Sequence, residues 1–571
     1  MLLEELIQVA RGEVEVDLLL KNARVVNVFS GEIHRANVAV HGSRIVGFGE
    51  YRARRVIDLQ GQFLSPGFID GHVHVESSML RVSEFARVVV PQGTTTVVCD
   101  PHEIANVLGL DGIRYILESA KYNPLSVYVM LPSCVPATNM ETAGSKLTAE
   151  DLAPMLGSDW VLGLAEVMNY PGVIFRDWEV LQKIKGAAGK PIDGHAPGLT
   201  GRDLCAYVAA GIGSDHECTT AKEAQEKLQL GMHIMLREGT TARDMENLLP
   251  IITPGNASNC MFVTDDRHLT DLLQEGHMNF VIRKAIGLGL DPVTAIQMAT
   301  INTARYFGLK DIGAIGPGLR ADLVVLDNLT DFRIQMVFRG GQLVAQQGVL
   351  LPPPQKPKIV PLRSSMNVNW QGRQDLRLPA QGKRAKVIKL EPDSVVTDSL
   401  VEEVKIDDGM AVADVERDIL KIAVFERHLA SGNVGLGFVK GFQLERGALS
   451  SSVAHDSHNL MVVGTNDADM LFAAHEVEAM RGGLVAVEGG RVLARLPLPI
   501  AGLMSERPFE EVNVQLREAL DAAHSLGSEL HDPFMALSFM ALAVIPALKI
   551  TDKGLVDVTQ FRLVPLFEES R

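Results

Sequence analysis

The chain of 571 residues has room for three to four domains at about 150 residues per domain. It carries 54 Lys and Arg against 70 Asp and Glu, a formal net charge of −16. The chain therefore lacks the overall positive charge that holds a phosphate backbone, and we expect no nucleic-acid partner. A hydrophobic fraction of 46% with 22% charged residues is ordinary for a globular protein and argues against long disorder.

The cysteines and the apolar segments indicate a cytoplasmic protein without a membrane partner. The five cysteines are odd in number and never form a C-x-x-C pair, which disfavours a disulfide framework and a structural zinc site. They are Cys99, Cys134, Cys205, Cys218 and Cys260. The N-terminus is acidic, unlike a signal peptide. The most apolar late stretch, Pro533–Leu548, is shorter than the about 20 residues that cross a bilayer.

In chain order, residues 1–64 contain a short amphipathic helix and then strand-like runs separated by turn signals, typical of a small antiparallel sheet. In residues 65–312, apolar strand-like runs alternate with helical stretches, which predicts a (β/α)₈ barrel. The eight predicted strands are Phe68–Val73, Thr94–Cys99, Ser126–Leu131, Val161–Ala165, Pro191–Gly194, Ile212–Ser214, His233–Leu236 and Met261–Val263.

Residues 313–351 return to strand-like runs, and we predict that they pair with residues 1–64 in a β-sandwich domain built from both sides of the barrel. The proline-rich segment 352–360 predicts an extended linker. Residues 361–571 are numerous enough for a C-terminal α+β domain with its own core. The predicted fold class is therefore α/β: a TIM-type barrel with a flanking β-sandwich and a C-terminal α+β domain.

Histidines and carboxylates follow the predicted barrel strands at the edge where barrel active sites lie. In Asp70-Gly-His72-Val-His74 the two imidazoles face the same way along a strand and can reach one ion. A single histidine of this kind is more often a core residue with a backbone hydrogen bond. Six ligand-type residues at strand ends are hard to explain in that way, and they predict a metal centre: His72, His74, Glu166, His195, His216 and Asp265. Imidazole and carboxylate ligands suit Mn, Fe or Zn, and Glu166 can bridge two ions.

The ligand pattern resembles the amidohydrolase superfamily over about residues 17–350. A closer resemblance, to the microbial adenine deaminase family, covers nearly the full chain. It rests on four strings: Pro66–Leu80, Asp100–Asn106, Thr264–His268 and Ser452–Asn459. The resemblance implies a binuclear metal centre, with Mn or Fe favoured over Zn, and hydrolysis of adenine to hypoxanthine and ammonia. Composition and spacing alone do not show that substrate.

Two departures from related enzymes are informative. Many relatives that open cyclic amides bridge their ions with a carboxylated lysine, where this chain has Glu166. His74-Val-Glu76 fits the H-x-E motif of the zinc base deaminases, but the chain lacks their C-x-x-C motif, which excludes that class.

The ligand set predicts how the reaction proceeds. Two ions lower the pKa of a shared water, the resulting hydroxide attacks C6 of the purine, and Asp265 serves as general base and then acid. Ring N1 must also gain a proton, and three carboxylates are candidates for supplying it: Glu76, Glu103 and Glu217.

Two further groups are candidate substrate-binding residues. Asp100 and His102 end the second barrel strand and bind metal or purine, with a loop brace as the alternative. His455, Asp456 and His458 predict a loop that closes over the active-site mouth, with a plain turn as the alternative. Residues so close in sequence rarely reach the geometry of a nucleophilic triad.

The leading function has two competitors. One is an amidohydrolase that acts on another aminated heterocycle or on a cyclic amide. The other is a non-catalytic scaffold, against which the filled ligand positions argue. We expect the chain to bind a small-molecule purine and to assemble as a homodimer or a higher homo-oligomer.

Overall fold

The computed structural model describes residues 2–121, 123–351, 360–371, 376–391 and 394–568. The predicted linker at 352–360 therefore lies, except for Val360, outside the described residues.

The segment before the barrel forms one helix, α1 (Leu3–Ala10), and five strands. Gly31 and Gly42 lie in the tight turns between the first three strands, with φ of 76° and 56°. Glycine adopts this left-handed region without the steric cost of a side chain, and it therefore permits both hairpins. The strands are β1 (Val16–Asn27), β2 (Glu32–His41), β3 (Arg44–Phe48), β4 (Ala53–Asp58) and β5 (Phe63–Pro66).

Eight strands form the barrel, as predicted; the bounds of the first three match the prediction, and those of the other five differ by one or two residues. They are β6 (Phe68–Val73), β7 (Thr94–Cys99), β8 (Ser126–Leu131), β9 (Val161–Val167), β10 (Ile192–Gly194), β11 (Ser214–Asp215), β12 (His233–Arg237) and β13 (Cys260–Val263). The strands are almost entirely buried, as expected for parallel strands covered on both faces.

The barrel closes through parallel ladders and two connecting contacts. Strands β6 to β10 pair in sequence, and so do β11 to β13. The Gly213 N–H donates to the Ile192 carbonyl oxygen at 2.9 Å and so links the two sets. Val73 forms a parallel bridge with Asp265, which joins the last strand to the first.

Thirteen described helices surround these strands. They are α2 (Val82–Val89), α3 (His102–Leu108), α4 (Leu110–Ser119), α5 (Ala149–Leu152), α6 (Tyr170–Ile174), α7 (Trp178–Gly186), α8 (Gly201–Ala209), α9 (Ala221–Gln229), α10 (Met245–Leu248), α11 (Leu269–Gln274), α12 (Met278–Gly287), α13 (Pro292–Met298) and α14 (Ile301–Tyr306).

Both flanks of the barrel meet in one nine-stranded sheet. The later strands are β14 (Leu323–Leu326), β15 (Ile334–Arg339), β16 (Gln342–Gln346) and β17 (Val349–Leu350). The strand order is β17-β16-β15-β14-β5-β1-β2-β3, with β4 beside β1. The antiparallel pair β14–β5 joins the segments before and after the barrel, with Val324 opposite Ser65.

The C-terminal region contains an eight-stranded sheet in the order β19-β18-β23-β22-β25-β24-β26-β27, a β20–β21 hairpin and a three-stranded sheet, β28–β30. Its strands are β18 (Arg384–Leu390), β19 (Thr397–Glu403), β20 (Lys405–Asp407), β21 (Met410–Val412), β22 (Leu420–Phe425), β23 (Val434–Lys440), β24 (Ala448–Ser451), β25 (Leu460–Gly464), β26 (Gly483–Glu488), β27 (Arg491–Pro497), β28 (Leu548–Thr551), β29 (Gly554–Asp557) and β30 (Arg562–Val564). Its helices are α15 (Asp467–Ala479), α16 (Phe509–Ser525) and α17 (Pro533–Phe539).

This region lies over the carboxyl end of the barrel. Met168 of the barrel belongs to the same buried apolar cluster as Met535 and Phe539 of α17. The predicted fold class is confirmed: an α/β barrel with a flanking sheet and an additional C-terminal sheet domain. Among the helices of the described ranges, none combines the length and apolarity needed to cross a bilayer.

Candidate active site

Glu166, at the end of β9, lies at the centre of the histidine cluster. Its Oε1 is 3.3 Å from His74 Nε2 and 3.7 Å from His72 Nε2. Its Oε2 is 2.6 Å from His195 Nδ1 and 3.2 Å from His216 Nε2. Each carboxylate oxygen thus faces different imidazoles, with His102 Nδ1 also 3.3 Å from Oε1. This is the arrangement expected of a carboxylate that bridges two ions.

Asp265 follows β13 and completes one side of this cluster. Its Oδ1 is 3.1 Å from His74 Nε2 and 3.4 Å from His72 Nε2. Its backbone N–H donates to the His72 carbonyl oxygen at 3.0 Å, and its φ is 57°. A residue other than glycine in the left-handed region costs about 1–3 kcal/mol, and such positions concentrate at functional sites.

The donor atoms fit a divalent metal centre. Among the described residues, His72 Nε2 is buried without a hydrogen-bond partner, and the nitrogens of His195 and His216 that face Glu166 Oε2 are Nδ1 and Nε2 respectively. His74 Nδ1 is 3.0 Å from the Asp100 carbonyl oxygen, which places the proton on Nδ1 and leaves Nε2 free to ligate. Two ligands that are each about 2.1 Å from one ion lie about 3.0–3.4 Å apart, close to most of the nitrogen–oxygen separations around Glu166.

Burial and neighbouring charges shift the pKa values of this cluster in opposite directions. Burial raises the pKa of Glu166, but the His216 and His195 imidazoles outweigh it and hold that pKa well below the usual range. Burial lowers the pKa of His216, but Glu166 raises it to about 9. Without ions, protons on these imidazoles therefore neutralise the carboxylates, and metal binding releases those protons.

Arg237 ends β12 and was missed by the sequence analysis. The buried guanidinium donates to Asp265 Oδ2 at 3.0 Å, to Asp244 Oδ2 at 3.1 Å and to both oxygens of Glu217. Burial raises the pKa of Glu217, but Arg237 and the neighbouring imidazoles lower it below its ordinary value. The sequence feature that could have identified Arg237 is its position as a charged residue directly after the apolar run of β12.

His102 connects the Glu166 cluster to the C-terminal region. Its Nδ1 lies 3.1 Å from Asp100 Oδ2 and 3.3 Å from Glu166 Oε1. Its Nε2 lies 3.2 Å from Glu103 Oε1 and 3.7 Å from Asp456 Oδ1. Asp100 also accepts the His102 backbone N–H at 3.0 Å, and it therefore fixes the ring from two sides.

Glu103 accepts hydrogen bonds from the turn between β24 and β25. The Ala454 N–H donates to His458 Nδ1 at 3.0 Å, so the proton of that ring is on Nε2, which donates to Glu103. His455 Nδ1 lies 2.6 Å from Glu103 Oε1. Burial lowers the pKa of His455, but Glu103 raises it to about 9. This tautomer makes His458 a hydrogen-bond donor to Glu103 and leaves its ring without a free nitrogen for a metal ion.

These residues line a partly open cavity of about 30 Å³. Residues of the barrel form the floor of the cavity. Residues of the C-terminal region form the opposite wall, which we call the roof. The described roof residues are Val395, His455, Asp456, Phe539, Leu542 and Ile545. A cleft of about 790 Å³ shares Arg237, Ala242 and Val395 with this cavity.

The predicted site residues divide by their access to the cavity. Those that line it are His74, His102, Glu103, Glu166, His195, His216, Glu217, Asp265, His455 and Asp456. His72, Asp100 and His458 lie directly behind them. Glu76 lies apart from the cavity wall, where its Oε1 accepts the Ile104 N–H at 3.2 Å and burial raises its pKa to about 7.

Comparison with known proteins adds independent support. Two family models match the chain: the Amidohydrolase family over residues 63–344 and the Adenine deaminase C-terminal domain over residues 394–562. The adenine deaminase of Desulfatibacillum aliphaticivorans is 53% identical over 567 residues, covering 99% of this chain and 100% of the relative. That of Methanothrix thermoacetophila is 52% identical over 572 residues and covers 100% of both chains. Adenine deaminase 2 of Carboxydothermus hydrogenoformans is 50% identical over 565 residues, with 99% of each chain covered. The chain therefore belongs to the adenine deaminase family of the amidohydrolases.

Proposed function

We propose that the chain is an adenine deaminase, an enzyme that hydrolyses adenine to hypoxanthine and ammonia in the cavity between barrel and roof. The observation that carries the proposal is the buried Glu166 carboxylate, whose two oxygens face separate groups of imidazoles. Relatives named adenine deaminase, matched over their full length, support adenine as the substrate.

The proposed cofactor is a pair of divalent transition-metal ions, with Mn or Fe favoured and Zn as the alternative. His72, His74 and Asp265 would hold one ion, His195 and His216 the other, and Glu166 would bridge them. These ligand types suit all three metals. When bound, the ions lower the pKa of a water molecule so that it can act as a nucleophile near neutral pH.

Asp265 is the proposed proton carrier. Its Oδ1 faces the ligand histidines, whereas its Oδ2 lies in the cavity wall at 3.0 Å from Arg237. It can therefore take the proton of the nucleophile and pass it to the departing amine. A positioned acid–base group contributes about 10²–10⁴ in rate.

Glu217 is the proposed partner of purine N1, because it lines the cavity on the same side as Asp265. It lies 3.5 Å from His216 Nε2, and Arg237 holds it together with Asp265. Since its pKa lies below the ordinary value, Glu217 is ionised in the free protein, and it must take a proton from the attacking water before it can protonate N1. We assign no substrate contact to Glu76.

Asp100, His102, Glu103 and His458 are proposed to position the site. Asp100 orients His102, and Glu103 ties the turn at His458 to the barrel. Cover of this kind excludes water and strengthens the electrostatic interactions around the reacting carbon.

Two predictions concern the whole protein. Homo-oligomerisation remains a prediction, for which the exposed Phe175 and Trp178, 80% and 65% accessible, offer a contact surface. The cytoplasmic location also remains a prediction, and it rests on the cysteine pattern.

The test is ammonia release by the purified, Mn²⁺-loaded protein from adenine, guanine and cytosine, with dihydrouracil assayed separately for ring opening because that reaction releases no ammonia. We expect release from adenine with equimolar hypoxanthine. Glu166→Gln should abolish the activity, whereas the exposed Glu179→Gln should retain it. Protein that holds two ions per chain and leaves adenine unchanged would contradict the proposal.

A further inference from the structure

We infer that Asp456 selects the free purine base by accepting the N9–H of adenine, so that N9-substituted adenines are rejected. This inference rests on the proposed function. A side chain of the C-terminal region would then determine the substrate specificity, whereas barrel residues carry out the chemistry.

The orientation of adenine follows from where the reaction takes place. C6 must approach the floor, since the nucleophile forms beside Glu166 and Asp265. In the planar purine, the edge opposite C6 carries N3 and N9. That edge therefore faces away from the floor and toward the roof.

The described roof residues offer two polar side chains for this edge, and both carry an atom without a partner. Val395, Phe539 and the other roof residues are apolar. Asp456 is 3% exposed and its Oδ2 is unpaired within the described ranges, as is His455 Nε2. A buried carboxylate oxygen without a donor is costly, and a ligand N–H would satisfy it.

The distance from floor to roof matches the length of a purine, and the adjoining cleft of about 790 Å³ offers the room that the cavity of about 30 Å³ lacks. His102 Nδ1 lies 3.3 Å from Glu166 Oε1, and His102 Nε2 lies 3.7 Å from Asp456 Oδ1. One imidazole thus spans the separation between the metal-binding carboxylate and Asp456. Adenine, which needs C6 at one end and N9 at the other, can lie alongside this ring.

The roof turn is held rigidly, which specific recognition requires. Glu103 fixes His455 through Nδ1, and the His455 ring stacks on Phe539 with centroids 4.8 Å apart and planes at 14°. The buried Arg427 donates to the carbonyl oxygens of His458 and Ala501. Asp456 is therefore presented at a fixed place, and His455 Nε2 is left to meet N3.

An N9 substituent removes the hydrogen that Asp456 accepts and places carbon against the carboxylate. A site built around a substrate N–H discriminates by up to about 10⁴–10⁵ against an analogue that lacks it, because its own polar group is left unpaired. Adenosine and 9-methyladenine should both be excluded on these grounds.

The experiment compares kcat/KM for adenine and 9-methyladenine in three variants. The wild type should favour adenine by at least about 10³-fold. Asp456→Asn should lower kcat/KM for adenine by about 10- to 100-fold, as expected for one hydrogen bond to a charged group. Asp456→Ala, which also makes room for the methyl group, should reduce the discrimination further. Asp552→Asn is the matched control, because this buried aspartate of the same region binds Thr142 of the barrel at 2.7 Å and should leave the ratio unchanged.

Two results would overturn the inference: wild-type protein that accepts 9-methyladenine as well as adenine, or Asp456 variants that keep the wild-type ratio. Calorimetric binding of purine and 9-methylpurine to the Mn²⁺-loaded protein separates this inference from the proposed function. Neither compound has an amino group to lose. A preference for purine that vanishes in Asp456→Asn supports the inference even if adenine is not deaminated, and equal binding of both compounds to the wild type refutes it.

Discussion

Buried charge occurs at both ends of the barrel, with opposite outcomes. At the amino end, Asp322 accepts from Arg320 Nε at 2.8 Å and from the Gly340 N–H at 2.8 Å. Arg320 and Arg339 both donate to the hydroxyl of Ser126, where β8 begins, at 3.1 Å. At the carboxyl end, His72 Nε2, His455 Nε2 and Asp456 Oδ2 have no hydrogen-bond partner in the described structure.

The difference shows how a structural cluster can be told from a functional one. The charges at the amino end satisfy one another and join the flanking sheet to the barrel. Those at the carboxyl end converge on a space that protein atoms do not fill. Burial alone therefore does not identify a site, whereas buried groups that lack partners around a common cavity do.

The strongest test of this contrast is Glu166→Gln. The amide keeps the shape but loses the charge that holds both groups of imidazoles, so the ions and the nucleophile are lost together. We expect kcat/KM to fall by at least about 10⁴, the upper limit for a single acid–base group. Elemental analysis should show less than one ion per chain, and full metal content with normal turnover would contradict the assignment.

Asp265→Asn should separate binding from proton transfer. The amide oxygen can still coordinate, but the side chain can no longer accept the proton, and turnover should fall by about 10²–10⁴. Metal content should stay close to that of the wild type. Near-normal kcat would move the proton-carrying role to Glu217.

Arg237→Lys should have an intermediate effect. Lysine keeps the positive charge but cannot hold Glu217 and Asp265 together in the planar geometry of a guanidinium. A displacement of about 1 Å in catalytic groups can cost about 10²-fold, which is the expected loss in kcat. An unchanged kcat with a raised KM would instead show that Arg237 serves binding alone.

Arg320→Met should affect stability and leave catalysis intact. It removes the charged partner of Asp322, which should lower the free energy of unfolding by about 1.5–3 kcal/mol. Denaturant unfolding measures this loss, while kcat/KM of the folded protein should match the wild type. A loss of activity as large as that of Arg237→Lys would contradict the distinction between a structural cluster at the amino end and a functional one at the carboxyl end.

The sequence predicted the barrel well because each strand is an apolar run that ends at a turn, and because β6 to β13 follow one another in order. It also placed Glu166 and Asp265, since ligand-type residues directly follow those strands. Arg237 was missed because a cation is not a metal ligand and its role depends on the contacts with Glu217 and Asp265. Proximity in sequence also favoured Glu76 as the N1 donor, although the chain turns its side chain away from the cavity.

The roof has a consequence for how the enzyme is made. His455 follows Asp265 by 190 residues, so the ribosome synthesises every proposed metal ligand before the turn that holds His455 and Asp456. At about 5–20 residues per second, this interval is about 10–40 s. During that time a nascent barrel is open at its carboxyl end, and ions from solution can reach the histidines without passing the roof. Synthesis therefore offers a period in which ions reach the histidines through a wider opening than the finished chain has.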